Sequence, residues 1–126
     1  MGFDIRKYRG HDFLPGEKAM ARIPAIYGTE GTPVEEKQVH LHFLIPNAMQ
    51  AFDWWVMEYD SVERLAFGFT CLNGDTANAE FGYISLDELE NLVTWMTMPP
   101  TVVVRDLEFV PKPWESVRTE WKRLST

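Results

Sequence analysis

Residues 52–72 read FDWWVMEYDSVERLAFGFTCL, and the fold is decided there. Phe52 to Tyr59 and Leu65 to Leu72 are dense in aromatic and apolar side chains and read as strands. Asp60-Ser61-Val62-Glu63-Arg64 joins them as a tight hairpin. Both strands are apolar on both faces. Trp54 and Val56 share one face of the first, and Trp55, Met57 and Tyr59 the other. On the second, Leu65, Phe67 and Phe69 alternate with Ala66, Gly68 and Thr70, whose small size lets another group approach the backbone closely. A sheet apolar on both sides is either covered by a helix on each face or leaves an aromatic face open for a partner.

Downstream, Asn73-Gly74-Asp75 opens the next turn and Glu80 to Ile84 is a further strand. Upstream, Val39, Leu41, Phe43 and Ile45 alternate with Gln38, His40 and His42, giving a half-buried strand stopped by Pro46. The short connections favour an antiparallel meander. Ser85-Leu86-Asp87-Glu88 is a capping box, followed by Leu86, Leu89, Val93 and Met96 at helical spacing. Pro99-Pro100 end that helix. Thr101 to Val104, continued by Leu107 and Phe109, predicts another strand, broken by Pro111 and Pro113. Trp114, Val117, Trp121 and Leu124 mark a C-terminal amphipathic helix. The class is α+β: a four- or five-stranded, mainly antiparallel sheet with a capped helix on one face and a C-terminal amphipathic helix. Residues 23–126 form that single α+β domain. Residues 1–22, with weak periodicity, Gly10, Pro15 and Gly16, read as a basic N-terminal arm that packs loosely or not at all, with a short helical turn from Glu17 to Arg22.

Composition bounds the function. The chain has 126 residues, 45% of them hydrophobic, and five Trp, enough for a real core. Its single cysteine, Cys71, builds neither a disulfide nor a Cys-based zinc site and reads as a core residue. With no apolar run of membrane-spanning length and no apolar signal core, the expected location is cytoplasmic. The net charge is −7, and it is unevenly spread: −10 over residues 23–104, +2 over 1–22 and +1 over 105–126. A negative body repels nucleic-acid phosphate and attracts basic surfaces.

Several stretches together resemble a known family. They are Ile23-Pro24-Ala25-Ile26-Tyr27-Gly28-Thr29-Glu30, Pro33 to Lys37, the aromatic strand ending Glu58-Tyr59-Asp60, Glu80 to Glu90, and Arg105-Asp106-Leu107-Glu108-Phe109. In this order they resemble the family designated domain of unknown function 2958, over about Ile23 to Val117. The resemblance implies a setting in bacteria, plasmids, phages or other mobile elements. It implies no reaction and carries over no catalytic residues.

The constellations that bear on chemistry are incomplete. His40 and His42 lie two apart on one strand, as a metal pair would, with Glu58 or Tyr59 the nearest further ligands. Glu58, Asp60, Glu80, Asp106 and Glu108 are candidates for a Mg²⁺-binding acidic cluster, but the central body has only two basic residues to assist a phosphate. His11-Asp12 lacks the partners an HD hydrolase needs, and Gly28 and Gly31 form no phosphate loop. No cofactor and no metal are expected. The preferred function is therefore a non-catalytic protein-binding module of a phage or mobile element. Its concrete form is an inhibitor of a host defence system, binding a basic partner rather than nucleic acid or membrane. The expected binding residues are Glu30, Glu35, Glu36, Glu58, Asp60 and Glu63, with Trp54 and Trp55 as aromatic anchors, one buried and one exposed. The alternative is a divalent-metal-dependent enzyme or accessory factor acting on nucleic acid. Three carboxylates converging in a pocket would favour it.

Overall fold

The computed structural model describes residues 4–94 and 100–125. In chain order these form helices α1 (Ile5–Arg9) and α2 (Glu17–Ala21), strands β1 (Gln38–Val39), β2 (Leu41–Leu44), β3 (Asp53–Asp60), β4 (Leu65–Cys71) and β5 (Glu80–Ser85), helix α3 (Leu86–Asn91), strands β6 (Val93–Thr94), β7 (Thr101–Val102), β8 (Val104–Arg105) and β9 (Lys112–Pro113), and helix α4 (Trp114–Ser125). The main sheet has five strands in the order β5-β4-β3-β2-β8, every neighbour antiparallel. The α+β class, the central hairpin and the C-terminal helix are as the sequence predicts. No helix among the described residues is long and apolar enough to cross a membrane.

Both sheet faces are covered. Trp54, Val56, Ala66, Leu41 and Phe43 point into a first core closed by Phe13, Ile23 and the α3 residues Leu86 and Leu89. Trp55, Met57, Phe69 and Cys71 point into a second core closed by Trp114 and Val117 of α4. The Cys71 thiol is pushed up in pKa, first by burial and then by the charges of Asp53 and Asp75, which leaves it protonated and unreactive.

The strand from Val39 to Ile45 is broken at His40. Val39 belongs to the second core and its strand pairs with β9, while Leu41, Phe43 and Ile45 enter the first. Strand β3 carries a bulge between Val56 and Glu58. The extra residue puts Met57 and Glu58 on one side and returns Tyr59 to the side of Val56, against the strict alternation expected. The capped helix is shorter than its apolar stripe. Ser85 Oγ accepts the Glu88 amide as predicted, but Leu92 is already extended, because β-branched Val93 and Thr94 pair instead with β7. The predicted strand over 101–109 divides in the same way: β7 joins β6 and β8 joins the main sheet. Met96 and the Leu124 side chain lie outside the described residues.

Residues 4–22 are not the loose arm expected. Phe13 is buried and stacks on Phe43 at 4.7 Å. Arg9 is 6% exposed and donates to Val103 O at 2.8 Å and Glu90 O at 2.6 Å. Arg105 in turn donates to the Phe13 and Asp12 carbonyls. Weak periodicity misleads here because two single side chains, not a repeating face, anchor the segment.

Leu89 closes the first core from α3. Leu89→Ala is expected to cost about 2–3 kcal/mol, the lower part of the usual range, because a six-residue helix can settle into the space left. Urea melts check it; a midpoint unchanged from wild type would mean that α3 does not pin this face.

Candidate functional site

The expected acidic residues do not form one patch. Glu58 is buried, delivered inward by the bulge. Its carboxylate accepts the Tyr27 amide at 3.0 Å, the Thr29 amide at 3.3 Å and the Thr29 hydroxyl, and lies 3.8 Å from Lys37 Nζ. It is therefore a loop anchor and not a surface contact. Asp60 caps the hairpin by accepting the Val62 and Glu63 amides. Glu63 is exposed at the tip, Glu35 and Glu36 are exposed on a 3-10 turn, and Glu30 is exposed beside Tyr27. Trp54 and Trp55 are both buried, so neither is a free anchor. The exposed rings near Glu58 are instead Tyr27 and Tyr83, whose hydroxyls meet at 2.9 Å. Tyr27 is held at φ 68°, and Gly28 after it is required, because a Cβ there would lie 2.8 Å from Ala25 O.

A second region gathers more chemistry. The imidazole of His42, on β2 opposite Trp55, lies flat against that indole at 5.1 Å and 7°. Its Nε2 lies 2.7 Å from Asp53 Oδ1 and its Nδ1 lies 3.0 Å from Asp106 Oδ2. Both nitrogens can donate at once only if the ring is an imidazolium. Burial acts to lower the His42 pKa, but the hydrogen bonds and charges of the two aspartates outweigh it, so the net shift is upward. The cluster forms one wall of a pocket of about 500 Å³ between α4 and the segment that links β8 to β9. Trp55, Phe109 and Trp121 supply its aromatic surface, and Asp53, Asp106, Glu108 and Glu120 its carboxylates. Lys112 Nζ sits 3.1 Å from Glu120 Oε2 and 5.2 Å from the Phe109 ring centre.

In this arrangement His42 is poorly placed for proton transfer. Neither His42 nitrogen is left to take a substrate proton, and two of the carboxylates are turned onto the ring. Among the described residues no three His, Cys, Asp or Glu side chains are grouped to hold a metal ion. The proposed Mg²⁺ cluster is dispersed: Glu58 is in the bulge, Asp60 at the hairpin tip and Glu80 opposite Thr70 on the first-core side, with only Asp106 and Glu108 at the pocket. His40 falls in the break between β1 and β2, where burial lowers its pKa.

Asp53, Glu120 and Trp121 are functional candidates that sequence reasoning missed. Asp53 becomes visible only once the β2–β3 register puts it diagonally across from His42. Comparison with family models, curated proteins and solved structures gives no match.

The raised His42 pKa fixes the sign of a pH effect. Below the ordinary value of 6.5 the ring is charged in both folded and unfolded chains, and the clamp contributes in full. As pH rises through the higher folded value the proton is lost and the contribution goes with it. The stability difference between wild type and His42→Gln, from urea melts at a series of pH values, should shrink from acid to alkaline. A flat or growing difference would show that the ring is neutral in the folded protein.

Proposed function

We propose that the chain is a non-catalytic protein-binding module that engages a basic segment of its partner, with an arginine or lysine side chain entering the pocket between α4 and the β8–β9 segment. The observation that supports this most directly is Lys112. Its ammonium is already held by a carboxylate and an aromatic face at the pocket, which is the chemistry a partner cation would use. Four carboxylates line the pocket against Lys112 and His42, leaving it negative whichever state His42 is in. The charge of the body, −10 over residues 23–104, would steer such a partner from a distance. In the narrower form of this reading the partner is a host defence protein, and the acidic surface occupies its nucleic-acid-binding groove. That form draws on the resemblance to a mobile-element family and on charge. Glu30, Glu35, Glu36 and Glu63 then act as outlying charges that speed encounter.

The test is a titration with N-acetylarginine amide, followed by the fluorescence of the pocket tryptophans. Saturable binding on the order of 1 mM is expected, weakened about tenfold or more in the double variant Glu108→Lys, Glu120→Lys. Affinity capture from the native host, with and without nuclease, should recover a basic protein with wild type and lose it with that variant. No saturable response, or an equal response to N-acetylaspartate amide, would reject the reading.

A further inference from the structure

We propose that the outer edge of β5 is a docking site for an extended basic segment of a partner protein, which adds to the main sheet as a further strand. The surface shares no residue with the acidic pocket between α4 and the β8–β9 segment.

Strand β5 ends the sheet on one side. The Leu86 amide donates to Arg64 O, and the β4–β5 register continues that pairing without a shift, from Leu65 opposite Ser85 to Thr70 opposite Glu80. Bonded and non-bonded pairs alternate in an antiparallel ladder. Glu80, Gly82 and Ile84 therefore give their backbone groups to β4, while Phe81 and Tyr83 turn their N–H and C=O groups outward. Among the described residues nothing bonds to those outward groups.

Proteins blunt such edges with shortness, a lysine, a proline or a bulge. The opposite edge, β8, is only two residues long. Strand β5 is six residues long, reads EFGYIS and has none of these devices. The Phe81 and Tyr83 rings stand exposed on its α4 side. On the other side Gly82 leaves open space, since a Cβ there meets nothing within 4 Å.

Charge selects the occupant. The stretch from Ala79 to Leu92 holds Glu80, Asp87, Glu88 and Glu90 and no lysine or arginine. Arg64 meets Asp87 and Glu90, whereas Glu80 and Glu88 are exposed and form no ion pair among the described residues. Glu30 joins Tyr27 and Tyr83 around a small cavity of about 160 Å³, whose other charges, Lys37 and Glu58, offset each other. A second copy of the chain would set this acidic strip against itself, and a basic segment would not. A residue of that segment opposite Tyr83 places its side chain on the same face. Lysine or arginine there meets the exposed rings and the Glu30 carboxylate. The residue opposite Gly82 lies on the other face, diagonal to Glu80.

The experiment uses the full ¹⁵N-labelled chain and a blocked peptide of about six residues, alternating lysine and valine. In the free protein the Phe81 and Tyr83 amides should exchange at least about tenfold faster than those of Gly82 and Ile84. Saturating peptide should slow the first two about tenfold or more. N-methylation of the lysines, whose amides face β5, should abolish binding, and N-methylation of the valines should not. Tyr83→Pro removes an outward N–H without touching a bond to β4 and should weaken binding about tenfold or more. Glu80→Lys, at an exposed site, should weaken it severalfold and tests the same edge should Tyr83→Pro lose its fold. The double variant Glu108→Lys, Glu120→Lys should bind within about threefold of wild type, which separates this edge from the acidic pocket. Unchanged exchange at Phe81 and Tyr83 on adding peptide, or equal binding by the lysine-methylated peptide, would overturn the proposal. So would protection of those two amides that rises with protein concentration alone, the mark of a second copy on the edge.

Discussion

Replacing Gly68 by alanine is expected to destabilise the protein by about 3 kcal/mol or more, at the upper end of what overpacking costs. Strand β4 crosses the bulge of β3 at this residue, and a Cβ there would lie 1.8 Å from Trp55 O and 2.8 Å from Trp55 C. The atoms in the way are backbone, so no rotamer change relieves the overlap. Strand β3 cannot retreat, because β2 is bonded to its other side. Gly82, directly across β4 on β5, is the control: a Cβ there meets nothing within 4 Å. Gly82→Ala should therefore stay close to wild type in urea melts. If the two variants melt alike, the bulge is not the constraint.

Removing the Glu58 carboxylate should be of similar size, about 3–5 kcal/mol for Glu58→Ala. The cost comes from what is stranded, namely the Tyr27 and Thr29 amides, the Thr29 hydroxyl and a Lys37 ammonium that also donates to Thr29 O at 2.7 Å. Hydrogen exchange should find the Tyr27 and Thr29 amides unprotected in the variant, with the α3 amides protected as before. Replacing both Glu58 and Lys37 by methionine should recover part of the loss, since no charge is then left buried alone. Retained protection at Tyr27 would show that the loop holds itself.

The parts of the fold that are legible in the sequence are those set by neighbours along the chain. The hairpin follows from polar Asp60 to Arg64 between two apolar runs, and the start of α3 from Ser85 and Glu88. The bulge is not legible, because one added residue inverts the alternation beyond it and Met57-Glu58 reads like any strand pair. Glu58 therefore passes for a surface acid, although the backbone turns it inward. The clamp on His42 is hidden for another reason: Asp53 and Asp106 are 11 and 64 residues away from it, and only the sheet register brings them together. Trp55 reads as a possible anchor because nothing local reveals that α4 will lie over it. The arm is misjudged because Arg9 finds its acceptors 81 and 94 residues downstream.

Those separations have a consequence for synthesis. The meander from β2 to β5 can form as soon as it leaves the ribosome, but neither of its covers is complete at that point. Arg9 must wait for Val103, and Trp55 for Trp114. A nascent chain stalled near residue 100 would hold a formed sheet with its indole and phenyl rings bare on the α4 side, a state prone to sticking. Contacts this far apart also slow the final closure, since long loops must be ordered before they are rewarded. Production of the protein should accordingly respond to chaperone supply and to translation rate over the last quarter of the message more than its modest size suggests.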